Sequence, residues 1–72
     1  MISYNPLWKT LIDRGIKRTA LANSIGISPT IITSMGKNAS VSMSTIDKIC
    51  RYLNCRVEDV VECVPDPDEN LP

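Results

Sequence analysis

Histidine and phenylalanine are absent from this 72-residue sequence, tryptophan occurs once, at Trp8, and only three cysteines are present. Without histidine the usual acid–base group at neutral pH is missing. A chain this short closes around one small core, with no room for a deep internal cavity. Its carboxylates cluster in a short terminal region that cannot form a desolvated pocket, so the sequence predicts a protein that is not an enzyme. Cys50, Cys55 and Cys63 include no CxxC pair and have no histidine to complete a tetrahedral set, so neither a metal nor any other cofactor is expected. Their odd number excludes a fully paired intramolecular framework and fits reduced thiols in a reducing compartment. Cys50 reads as plain core, and Cys55 and Cys63 read either as inert buried thiols or as a pair that closes on oxidation.

Long hydrophobic runs are missing as well, which predicts no membrane association. The opening Met1-Ile2-Ser3-Tyr4-Asn5 has neither the basic region nor the apolar stretch of an export signal, and the expectation is a cytoplasmic protein. With phenylalanine absent, isoleucine, leucine and valine must supply most of the packing.

The formal net charge of zero hides a division along the chain. Up to Val57 there are eight basic residues, Lys9, Arg14, Lys17, Arg18, Lys37, Lys48, Arg51 and Arg56, against Asp13 and Asp47, a balance of +6. Glu58, Asp59, Glu62, Asp66, Asp68 and Glu69 make the remainder −6. A basic body with an acidic end suits a nucleic-acid partner, although the same charges also describe solvated faces.

Helical periodicity organises the body. After a short extended arm, Ile2 to Tyr4, Asn5-Pro6 supplies an N-cap and a proline at the first helical position. Leu7, Trp8, Leu11 and Ile12 give helix one an apolar face on which Trp8 reads as core rather than as a stacking platform. Gly15 fits its left-handed cap, and Ile16 returns to the core. Leu21, Ala22 and Ile25 line a second helix from about Arg18 to Ile25, with Lys17 a poor cap. Gly26 turns the corner, Ser28 caps, and Pro29 starts a third helix to about Met35 whose apolar side is Ile27, Ile32 and Met35. Ile31 turns away from that side and either meets a ligand or fills a partial gap. Residues 36–40 form a loop, Ser42 caps a fourth helix over Met43 to Leu53, and Asn54 ends it. Val57, Val60 and Val61 suit a short fifth helix, though three β-branched residues also suit a strand. Cys63-Val64 can pair with the Ile2-to-Tyr4 arm in a small two-stranded ribbon, and residues 65–72 read as a disordered acidic tail following a domain over residues 1–64.

Two short helices joined at a glycine corner form a helix-turn-helix unit whose second member fits a DNA major groove. The run Leu21-Ala22-Asn23-Ser24-Ile25-Gly26-Ile27-Ser28, with Val41-Ser42, Ile46-Asp47-Lys48-Ile49-Cys50 and Leu53-Asn54-Cys55, resembles the Cro/CI-type (Xre-like) helix-turn-helix regulators of bacteria and phages, in their short single-domain form. The resemblance implies an all-α, compact five-helix bundle in which helix three reads double-stranded DNA and the start of helix two anchors on phosphate. By position it assigns base contacts to Pro29, Thr30, Thr33 and Ser34, and phosphate contacts to Lys17, Arg18, Ser28, Lys37 and Asn38. Lys17 replaces the family's usual Thr or Ser cap, and the base-facing positions carry no Arg, Gln or Asn able to make bidentate contacts. Hydroxyls and the Thr30 methyl are left to read the groove. The expected function is a transcriptional regulator, a repressor in this reading, acting as a homodimer on an inverted repeat. The alternative is a protein-interaction module on the same scaffold that modulates a partner regulator protein or a polymerase.

Overall fold

In a computed structural model, residues 1–65 are described; from Asp66 onward the expected acidic tail lies outside them. Helix α1 spans Asn5–Arg14, α2 Arg18–Ile25, α3 Pro29–Gly36 and α4 Met43–Leu53. Strands β1 (Ile2–Ser3) and β2 (Glu62–Cys63) pair antiparallel, Ile2 opposite Cys63 and Ser3 opposite Glu62. The fold is a compact all-α bundle of four main helices with this small ribbon attached. The ribbon extends by one further pair beyond Ile2 and Cys63, since the Val64 amide donates to the Met1 carbonyl at 2.8 Å and the Met1 amine donates to the Val64 carbonyl at 2.8 Å.

All four helices end alike, with a left-handed residue after the last turn: Gly15 (φ 68°), Gly26 (φ 74°), Asn38 (φ 59°) and Asn54 (φ 52°). The following amide then reaches back five residues, Ile16 to the Leu11 carbonyl (2.9 Å), Ile27 to Ala22 (3.1 Å), Ala39 to Ser34 (3.0 Å) and Cys55 to Cys50 (3.0 Å). This Schellman closure satisfies terminal carbonyls and turns the chain sharply. At Gly26 a β-carbon would meet nothing within 4 Å, so only the backbone resists a side chain there. Gly26→Ala is therefore expected to cost about 1–2 kcal/mol in urea unfolding, the penalty of a left-handed L-residue.

The core joins Leu7 and Leu11 of α1, Leu21 and Ala22 of α2, Ile32 and Met35 of α3, and Ile46, Ile49 and Leu53 of α4, closed by Tyr4, Ile27 and Val60. Ser42 caps α4, its hydroxyl accepting from the Thr45 amide at 3.3 Å.

Three local expectations are corrected. Asn5 does not cap α1. It is the first residue of that helix, preceded by Tyr4, and its amide donates to the Ser3 hydroxyl at 3.3 Å. Ile12 is 78% exposed rather than core. Five residues on from Leu7 it lies about 140° around the helix, beyond the narrow stripe that a small bundle covers. The fifth helix is a single 3₁₀ turn, Val57–Asp59, in which the Asp59 carboxylate accepts from the Arg56 amide at 3.2 Å. Val60 is buried immediately after it and the chain enters β2 at Glu62, which leaves no length for a longer helix.

Candidate nucleic-acid interface

The buried side chains of α2 and α3 hold the two helices against each other and leave the front of α3 outward. Ser28 occupies the cap position of α3 in an extended conformation (φ −72°, ψ 149°) and Pro29 follows within the first turn. The Ser28 hydroxyl makes no capping hydrogen bond, so it stays on the surface beside the unpaired amides of the helix start. Pro29, Thr30 and Thr33 are exposed and Ser34 is half-buried. The Thr33 hydroxyl donates to the Pro29 carbonyl at 3.0 Å, which leaves it an acceptor toward solvent. Ser28, Thr30 and Ser34 line one side of a cleft of about 270 Å³, and Ser40, Ser42 and Thr45 line the other. Ile31 sits in this cleft, half-buried and packed against the core, so it fills the gap between α3 and α4.

Lys17 precedes α2 in an extended conformation (φ −79°, ψ 150°), and it and Arg18 are exposed. Arg18 is held in a defined place. Its guanidinium carbon stands 3.8 Å from the centroid of the Trp8 ring, and one terminal nitrogen lies 3.3 Å from where a β-carbon on Gly36 would be. Trp8 thus supplies a flat π-face for the cation, and the last residue of α3 makes room for it. This brings Arg18 beside Lys37, which directly follows Gly36 and is exposed. The guanidinium at the start of α2 therefore lies beside the end of α3 that leads into Lys37.

Trp8 is accordingly half-buried and doubles as a platform, a role that reading it as core missed. It lies ten positions before Arg18, on a different helix, so no helical spacing rule connects the two; only the tertiary fold does. Asn38 also has an unforeseen task. Its side-chain oxygen accepts from the Tyr4 amide at 3.3 Å, and the Tyr4 hydroxyl donates to the Ala39 carbonyl at 2.7 Å. Burial pushes the Tyr4 phenol up from its ordinary value, against an opposing hydrogen bond from the Val41 backbone, and keeps it a donor.

A larger groove, about 550 Å³, runs between α1 and the 3₁₀ turn, but Asp13, Asp59 and Glu62 line it with Lys9. Three carboxylates against one cation repel a phosphate backbone, so electrostatics favours the α2–α3 edge for DNA. Among the described residues no group of three or more His, Cys, Asp or Glu side chains is arranged to hold a metal ion, and no helix is long and apolar enough to cross a membrane.

Residues 6–66 match the Cro/C1-type HTH DNA-binding domain family. The chain is also similar to the crystal structure of the transcriptional regulator VanUg, with 43% sequence identity over 90% of this chain and 87% of that one, and a TM-score of 0.86. Among curated proteins no match is found. A glycine-cornered α2–α3 pair with an outward hydroxyl ridge, the family match over most of the sequence and the likeness to a solved regulator lead to one assignment: the chain belongs to the Cro/C1-type helix-turn-helix DNA-binding domain family.

Proposed function

We propose that this helix-turn-helix transcriptional regulator, a sequence-specific DNA-binding protein by its family, is a cytoplasmic repressor that inserts the front of α3 into the major groove of double-stranded DNA. The observation carrying this reading is that Thr30 is exposed at the helix front while the Arg18 guanidinium lies against Gly36, next in sequence to the exposed Lys37. In this reading residues 1–64 form the DNA-binding domain. Pro29, Thr30, Thr33 and Ser34 face base edges, and Lys17, Arg18, Ser28, Lys37 and Asn38 face phosphate. Hydroxyls accept or donate to several bases, and the Thr30 methyl packs on thymine, so discrimination rests on shape and single hydrogen bonds rather than bidentate pairs. A homodimer on an inverted repeat supplies the affinity that one small module lacks, with half-sites about one helical turn apart. The ribbon and the 3₁₀ turn are the proposed region of self-contact.

Selection from randomised duplexes should enrich a two-fold symmetric motif, and Thr30→Ala or Ser34→Ala should relax preference at single positions by about 0.5–1.5 kcal/mol, the worth of one ordinary hydrogen bond, with little change in salt dependence. Failure to enrich any motif even at low salt would favour a protein-interaction role on this scaffold, through a partner regulator. Solution mass with and without a selected duplex tests the dimer, which a strictly 1:1 complex on the symmetric site would exclude.

A further inference from the structure

The Schellman closures of α1, α2 and α4 place the fourth-last residue of the helix against the second residue beyond its end, where an apolar contact usually completes the motif. At the end of α1 that pair is Leu11 with Ile16, and at the end of α2 it is Ala22 with Ile27. At the end of α4 it is Cys50 with Cys55, whose backbones are joined by the 3.0 Å bond from the Cys55 amide to the Cys50 carbonyl. Both residues are half-buried, and the Cys50 side chain is near enough to perturb the Cys55 thiol. Cys63 is exposed and stands apart from this pair on β2, opposite Ile2. The sequence alone singled out Cys55 with Cys63; helix-end geometry selects Cys50 instead, because residues five apart meet only when a left-handed residue, here Asn54, folds the chain back.

We propose that Cys50 and Cys55 are a thiol-modification site that closes to an intrachain disulfide by exchange with a low-molecular-weight disulfide. One protein thiolate attacks the small disulfide, breaks its S–S bond and releases one small thiol, leaving a mixed disulfide on the protein. The second protein sulfur then attacks that mixed disulfide and expels the other small thiol. The two cysteines give up two electrons and two protons, and the small disulfide is reduced to two thiols. Burial pushes the Cys55 thiol up from its ordinary value, reinforced by the neighbouring Cys50. Cys55 therefore keeps its proton longer, and Cys50 is the attacking sulfur with Cys55 resolving. The bond staples the closing turn of α4, where the Leu53 carbonyl also accepts from an Arg14 guanidinium nitrogen and so joins α4 to the end of α1.

The test uses the full chain carrying Cys63→Ser, incubated with excess oxidised glutathione and quenched in acid. The expected product is about 2 Da lighter than the reduced chain, carries no glutathione, and returns to the reduced mass with dithiothreitol. An unreduced tryptic digest should link Ile49-Cys50-Arg51 to the peptide of residues 52–56, since cleavage falls after Lys48, Arg51 and Arg56. With Cys55→Ser added, Cys50 should hold a stable glutathione adduct. In concentrated urea the ratio of closed to doubly glutathionylated product should fall at least tenfold, because the fold no longer aligns the thiols. Two glutathione adducts on the folded chain, chain-to-chain links, unreacted thiols, or a closure yield indifferent to urea would each overturn the proposal.

Discussion

Arg18→Ala is expected to weaken binding to every duplex by roughly ten- to a hundredfold and to lower the slope of log affinity against log salt by about one, leaving base preference intact. The size follows from the loss of one charge-assisted hydrogen bond to phosphate, and the uniformity from the fact that phosphate carries no sequence information. Holding the guanidinium on Trp8 limits the side-chain entropy lost on binding. Trp8→Ala should therefore shift affinity in the same direction by a smaller amount, and Trp8→Phe should recover part of the loss while keeping the salt slope of the parent. Lys37→Ala, at the same edge, should repeat the pattern of Arg18→Ala. Titrations at several salt concentrations decide the matter. An unchanged slope for both Arg18→Ala and Lys37→Ala would move the phosphate-binding face elsewhere.

The largest effect on folding is expected at Leu21. This side chain is fully buried in α2, which packs on both α3 and α4, so its truncation opens a cavity at the joint of the DNA-binding unit. Leu21→Ala should cost about 2–5 kcal/mol in urea or thermal unfolding. Small domains hold a net stability near the low end of about 5–15 kcal/mol, so much of this variant's population should be unfolded at physiological temperature. Its DNA affinity should recover on cooling or with an excess of duplex, which binds only the folded form. A loss below 1 kcal/mol would mean that the joint collapses to fill the void.

The parts of the fold legible in the sequence are those governed by local rules. Gly15, Gly26 and Asn54 adopt the left-handed caps that their residue types favour, Ser42 caps α4 through its hydroxyl, and the bounds of α2 and α4 follow from apolar spacing between such signals. Ile12 and the 3₁₀ turn were misread because periodicity reports which residues share a face, not how much of that face the rest of the chain covers. The outward front of α3 was legible from Ser28-Pro29 and the positions of Ile32 and Met35. The Trp8–Arg18 stack, the Asn38–Tyr4 bond and the Cys50–Cys55 meeting depend instead on how elements or helix ends fold onto one another. The first two join residues on different elements and leave no periodic trace, and the third requires the left-handed turn at Asn54 to have formed.

Tyr4 also has a dynamic consequence. Its amide and hydroxyl fasten the residue after β1 to Asn38 and Ala39, immediately beyond α3. Fraying of the terminal strands and loosening of that loop therefore cannot occur independently, and amide exchange should show the Tyr4 and Ala39 protons opening as one cooperative unit. Whatever grips the strands, a second subunit included, would stiffen the loop at Lys37 without touching it.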